Sequence, residues 1–214
     1  MGIEAQEMQV PNDSIYGYGL DLSHYNEDPD WEELEVDFVI MKATEGTSYE
    51  DPTFKKRLAA CRNAGIPAGA YHYYRGTAST ENEFKNLYNT VGFTTDIIPA
   101  IDIEKKPDGM TKQEFQKKLG GFISMFYDTY GVFPIIYAHQ AFFKEYISEV
   151  IEANWAEADF ILWFGDKDNP YGWYEIGPSI HQAEIRNVKG IRGKVDFNEL
   201  HRPLRHLLYK NPQN

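Results

Sequence analysis

Cysteine is almost absent from this chain of 214 residues: Cys61 stands alone. No disulfide can form within the chain, so packing must hold the fold. Long apolar runs are missing too. None approaches the roughly 18 residues that cross a bilayer, so no membrane span is expected, and Met1 to Asn12 lacks the basic-then-apolar order of an export signal. Positive charge is scarce: 21 Lys and Arg stand against 33 Asp and Glu, a formal balance of -12. Affinity for nucleic acid comes largely from clustered cations that displace counterions from phosphates, so no nucleic-acid partner is expected. Low-complexity tracts and repeats at solenoid periods are likewise lacking. What remains is an ordinary globular composition. It predicts one soluble domain over 15–210, with a flexible segment at 1–14 and a short tail at 211–214.

Short runs of Val, Ile, Tyr and Phe alternate with longer segments of helical period, the pattern of β-α units around a parallel sheet. Strands are predicted at 17–22, 37–43, 66–73, 97–103, 133–138, 159–164, 178–182 and 193–197, and helices at 52–64, 80–91, 111–130 and 140–154. Asp51-Pro52 offers an N-cap followed by proline at N1, while Thr80 with Glu83 and Thr111 with Glu114 match the capping box. Phe115, Leu119, Phe122 and Phe126 recur at helical spacing and form a core stripe. Cys61 shares a helix face with Phe54, Leu58 and Ala64, which suits a small buried hydrophobe. From Asp166 to Gly177 the chain is too rich in Gly, Pro and Asp for a good helix. The predicted class is α/β, an irregular TIM-like (β/α)5(β)3 barrel whose last helices are missing or reduced.

In parallel barrels the reacting groups sit where strands end. Polar residues fall at nearly every predicted strand end: Asp21, Glu45, His72 with Tyr73, Asp102 with Glu104, Tyr137, Trp163, Gln182 and Asp196. Any one carboxylate in such a place is ordinarily a solvated loop residue or a cap. The coincidence across strands is what points to a site.

Asp102 and Glu104 follow the apolar run Ile97-Ile98-Pro99-Ala100-Ile101, so Asp102 leaves the strand close to the core, where an unpaired charge is costly. Side chains two apart in a strand face the same way, with α-carbons roughly 6.5 Å apart. The two carboxyls should enter one cavity and split in proton affinity, one neutral and one ionised, as glycoside hydrolysis requires. An inverting enzyme needs its base across the sugar, about 6.5–9.5 Å from the acid, which neighbours on one strand do not supply. They suit a mechanism in which the substrate's own 2-acetamido oxygen attacks the anomeric carbon. Asp102 would then orient and charge-stabilise the acetamido group while Glu104 protonates the leaving oxygen. Tyr71, Tyr73, Tyr137 and Trp163 lie on or at the ends of strands, where rings stack on pyranose faces.

A divalent metal held by Asp21, Asp102, Glu104 and Asp196 is the rival enzymatic reading. No cluster of His accompanies them, and the aromatic lining suits sugars better. The expectation is therefore no metal and no cofactor. The same residues would also serve a glycan-binding protein without chemistry, or a hydrolase of chitin or another N-acetylglucosamine polymer.

The ordered motifs resemble those of the glycoside hydrolase family 25 lysozymes, the N-acetylmuramidases. Gly19-Leu20-Asp21-Leu22-Ser23 resembles the family's opening strand, Phe38-Val39-Ile40-Met41-Lys42-Ala43-Thr44-Glu45-Gly46 the second, and Ala64-Gly65-Ile66-Pro67-Ala68-Gly69-Ala70-Tyr71-His72-Tyr73 the third. Asp102-Ile103-Glu104 resembles the catalytic strand and Gly193-Lys194-Val195-Asp196-Phe197-Asn198 the closing one. The resemblance implies Glu104 as general acid/base, Asp102 as acetamido assistant, and Asp21 and Asp196 as supports that line the pocket. Tyr73, Tyr137, Trp163, Gln182, Tyr71 and Glu45 are expected as substrate contacts from their places at the strand ends, and the resemblance implies peptidoglycan glycan strands as partner. A retaining monomer acting in the extracellular space or periplasm follows. Two departures stand out: Phe164-Gly165-Asp166 where a small residue and then an aromatic are more usual, and His181-Gln182 where Trp-Gln is common. Both are expected at the rim of the cleft.

Overall fold

A computed structural model describes residues 15–165 and 179–210. The expected segment 1–14, the tail 211–214 and the Gly- and Pro-rich stretch from Asp166 to Gly177 lie outside the described residues. The strands are β1 (Gly17–Leu22), β2 (Phe38–Glu45), β3 (Tyr49–Glu50), β4 (Ala68–Tyr73), β5 (Ala100–Asp102), β6 (Ile135–Ala138), β7 (Leu162–Phe164), β8 (Ile180–Asn187) and β9 (Lys194–Leu200). They hydrogen-bond in the order β1-β9-β8-β7-β6-β5-β4-β2-β3, and a further β1–β2 pairing closes eight of them into a barrel, leaving β3 as a short flap on β2. Pairing is parallel from β1 through β2, β4, β5, β6 and β7 to β8, and antiparallel where β9 completes the ring between β8 and β1. The irregular α/β barrel read from the sequence is the fold.

Helices α1 (Phe54–Asn63), α2 (Thr80–Val91) and α3 (Lys112–Tyr130) follow the β2–β3 pair, β4 and β5. After β6 the chain runs through α4 (Gln140–Phe142), one wider π-turn (Phe143–Ile147) and α5 (Ser148–Trp155). The predicted single helix at 140–154 is thus interrupted. Phe143 and Ile147 of the wider turn are both buried, with Phe143 edge-on to Phe164 of β7 at 5.3 Å. The α3 stripe is core as expected, each of its four residues wholly buried and worth roughly 1.5–3 kcal/mol. Gly131 ends α3 at φ 71°, a left-handed cap that other residues enter only at a cost.

Two helix starts differ from expectation. The helix after Asp51 begins with Thr53 as cap, because the Asp51 carboxylate turns back to accept from the backbone and hydroxyl of Thr53 and from the His24 backbone. In α2 the cap is Ser79, accepting from the Asn82 backbone at 3.2 Å. Thr80 makes no box with Glu83, since Glu83 is drawn inside to accept from the backbones of Arg75 and Gly76. The Thr111–Glu114 box is present in full. Phe54, Leu58 and Cys61 of the expected α1 face are buried, although Ala64 is exposed. The Cys61 thiol, pushed up to about 12 by burial, donates to the Ile66 carbonyl.

Candidate active site

Strand register lifts the polar residues to one level. Across β4, β5, β6 and β7 the neighbours are Tyr73 with Asp102, Asp102 with Tyr137, and Tyr137 with Trp163. Across the antiparallel closure Asp21 stands beside Asp196, and Gln182 beside Asn198. A slip of one residue in any strand would turn its member to the opposite face, so the register is what makes the carboxylates converge.

They converge on a cavity of about 210 Å³ at the strand ends. Asp21, Asp102, Glu104 and Asp196 line it, together with Tyr71, Tyr137, Trp163 and Gln182. The β5 ladder ends at Asp102, but the backbone keeps its course for one residue more, with Ile103 N–H donating to the Tyr137 carbonyl. Alternation therefore carries Glu104 to the same cavity. The two carboxyls differ in surroundings: Asp102 is 8% exposed, whereas Glu104 is open to solvent and accepts a hydrogen bond from the Tyr73 hydroxyl at 3.2 Å.

Desolvation is the main force on Asp102. Together with the charges of Glu104 and Asp21 it holds the carboxyl well above the usual carboxylate range, against a smaller pull from Lys42. Its Oδ1 is buried with no hydrogen-bond partner among the described residues, an acceptor facing a cavity. Asp21 is raised to about 7 by burial and by Asp196, despite bonds from Asn198 and Gln182 that favour its ionised form. Burial and the neighbouring carboxylates also raise Tyr71 and Tyr137, and Tyr73 to about 12, so all three hydroxyls stay protonated at neutral pH.

A continuous chain of hydrogen bonds fixes the floor. The Trp163 indole N–H donates to Asn198 Oδ1 at 2.8 Å, Asn198 Nδ2 donates to Asp21 Oδ2 at 2.8 Å, and Gln182 Nε2 donates to the same oxygen at 3.0 Å. Tyr137 completes it by donating to Gln182 Oε1 at 3.0 Å. Asn198, wholly buried, was not among the residues expected. The same period-two arithmetic that pairs Asp102 with Glu104 would have placed it beside Asp196.

Trp163 is only 2% exposed, and its indole edge is already engaged. It is a floor residue of the cavity and offers no open stacking face. Tyr73 stands outside the cavity lining, tied to Glu104. Glu45, also outside it, holds Lys42 at 2.5 Å and the Arg75 guanidinium. Burial pushes the Glu45 carboxyl up, but these two cations outweigh it and leave it below its ordinary value. Lys42 and Arg75 lie over the Tyr73 ring at 5.0 and 4.7 Å, so Glu45 fixes a rim of charge behind the tyrosine.

Of the two sequence departures, Phe164 and His181 are buried and do not lie at the rim as expected, whereas Gly165 stands beside the pocket. Phe164 is fully buried against Phe143, and a Cβ on Gly165 would fall 2.3 Å from the Tyr137 hydroxyl oxygen and 3.2 Å from Gln182 Oε1. The glycine is what admits the Tyr137–Gln182 bond. His181 alternates with Gln182 and points to the outer face of β8; Asp166 lies outside the described residues.

The family model for glycosyl hydrolases family 25 matches residues 20–165. YegX of Escherichia coli strain K12 is 28% identical over 191 residues, covering 85% of this chain and 68% of YegX. The autolytic lysozyme of Clostridium acetobutylicum is 28% identical over 169 residues, 77% of this chain and 48% of that protein. In three dimensions the bacterial lysozyme from Streptomyces coelicolor superposes with a TM-score of 0.76 at 21% identity, over 91% of this chain and 96% of that one.

Proposed function

The chain belongs to glycosyl hydrolases family 25 and is a glycoside hydrolase, and we propose that its pocket cleaves the β-1,4 bond between N-acetylmuramic acid and N-acetylglucosamine in peptidoglycan, with retention. The observation that carries this reading is the unequal carboxyl pair: Asp102 buried with an open acceptor, Glu104 exposed, both facing one cavity.

Burial, and then the charge of Glu104, favour the neutral form of Asp102. An acetamido N–H donated to Asp102 satisfies its buried oxygen and favours its ionised form. The acetamido oxygen is thereby aimed at the anomeric carbon, and the positive charge that develops on the ring is balanced nearby. Glu104, on the solvent side, protonates the leaving oxygen and then takes a proton from the water that opens the cyclic intermediate. Asp21 and Asp196 hold the floor, and Tyr71, Tyr137 and Gln182 fix the sugar through hydroxyl and amide groups. All these groups come from one chain, which supports a monomer. Among the described residues no helix is long and apolar enough to cross a membrane. The substrate places the action outside the cytoplasmic membrane, in the periplasm or beyond the cell.

The test is digestion of purified peptidoglycan followed by mass spectrometry of the reduced products. New muramic acid reducing ends are expected; glucosamine ends, or no products, overturn the reading. Glu104→Gln should lower kcat by roughly 10²–10⁴-fold with little loss of glycan binding, and Asp102→Asn should be severely impaired. Near-normal turnover in either variant contradicts the assigned roles.

A further inference from the structure

A second polar cluster sits on the opposite face of the barrel wall. In the β8–β9 pairing His181 stands directly beside Glu199, and the ladder runs one step further, with His201 N–H donating to the Ser179 carbonyl at 2.9 Å. His201 is two residues beyond Glu199 and shares its face, diagonal to His181. Three donors from two hydrogen-bonded strands thus meet on one side of the sheet. Gln182, the next residue along β8, reaches the pocket on the other side.

The two distances to Glu199 are close to those of a coordination shell. His181 Nδ1 lies 3.7 Å and His201 Nε2 3.6 Å from the same oxygen of Glu199, Oε2, and the three ligand atoms all fall within 4.8 Å of one another. Tetrahedral zinc, with bonds of about 2.0–2.2 Å to nitrogen and oxygen, sets its ligand atoms roughly 3.3–3.6 Å apart. The side chains are held in place, at 4%, 8% and 28% exposure for His181, His201 and Glu199. Among the described residues no lysine or arginine pairs with Glu199; the adjacent Arg202 turns instead to Asp159 in a two-pronged contact. The four pocket carboxylates form no comparable set among the described residues, where this trio alone meets the ligand geometry.

We propose that His181, Glu199 and His201 bind one zinc ion, with the fourth position of the tetrahedron filled by water or an exogenous ligand. Two imidazoles and a carboxylate are borderline donors suited to zinc among first-row divalent cations. The ion clamps β8 to β9 where the antiparallel strand closes the ring. It stiffens the segment that presents Gln182 to Asp21 without touching substrate, and it accounts for a histidine at 181 where the family resemblance led one to expect tryptophan.

Protein dialysed against a chelator and then titrated with zinc chloride in a calorimeter should bind one zinc per chain at micromolar affinity or tighter, and excess zinc should raise its Tm. Glu199→Gln and His201→Gln, confirmed folded by circular dichroism, should each weaken binding more than roughly 100-fold, since losing even an outer-shell partner costs 10–100-fold, and should lose the zinc-dependent rise in Tm. No binding in the micromolar range, or unchanged affinity in the folded variants, overturns the site. If a variant fails to fold, cobalt(II) loaded into the wild-type chain decides: strong visible bands of a four-coordinate ion support the site, and the weak spectrum of the aqueous ion refutes it. None of these readouts involves glycan cleavage, so they stand or fall apart from the hydrolase assignment.

Discussion

A carboxyl whose proton affinity rises on burial binds its proton more tightly folded than unfolded, so its contribution to stability falls as pH climbs through that window. For Asp21 the window runs from 3.8 to about 7. Asp21→Asn removes the titration while its amide oxygen can still accept from Asn198 and Gln182. The variant should melt roughly 2–4 °C above the wild type at pH 8, with little difference near pH 4 and with reduced activity. Equal differences at the two pH values would show that the Asp21 proton has no such linkage. Pocket residues such as Asp21, Asp102 and Asp196 were legible in the sequence because strand alternation converts spacing into direction. Glu45 was misplaced because its direction is set by Lys42 and by Arg75, 30 positions along the chain, and local spacing carries no information about such a partner. Asn198 carries no charge to mark it in the sequence, although it ties the floor together.

Helices were legible where their start signals compete with nothing. Thr111 and Glu114 are both exposed, and they form their reciprocal bonds as written in the sequence. Thr111→Ala should therefore cost about 1 kcal/mol, ~2–4 °C in Tm, and leave glycan turnover unchanged; an activity loss at constant Tm would mean that α3 communicates with the pocket. Glu83 shows the opposite case. It is 1% exposed and serves the turn at Arg75 and Gly76, with His72 at 3.4 Å, so tertiary demand overrides the cap motif. The β8–β9 hairpin is longer at both strands than the apolar pattern predicts. Its outer part, Glu184 to Asn187, is exposed and lacks alternation, and it is paired by backbone bonds past a register shift between Gln182 and Glu184. The π-turn in the last helix was equally hidden, since a period of 3.6 gives no warning of one wider turn.

A net charge of -12 surrounds a pocket that is itself acidic. Against an anionic wall polymer, long-range repulsion should slow encounter at low salt. Raising ionic strength from ~0.01 to ~0.15 M shortens the screening length from about 30 to 8 Å. It should raise kcat/KM several-fold on such a polymer and leave uncharged chitin fragments unaffected; a fall with salt would place a basic docking surface on the enzyme. The barrel's closure reaches further. Tyr16 donates to the Leu200 carbonyl below β1, while Leu208 bridges Ile97 and Tyr209 donates to the Asp96 carbonyl below β5. Both ends of the described chain therefore leave from the floor of the barrel, opposite the strand ends that face glycan. A cargo, a surface anchor or a resin bead joined directly at Ile15 or Lys210 hangs behind the enzyme like a handle, and protein immobilised there should keep the turnover of the free one.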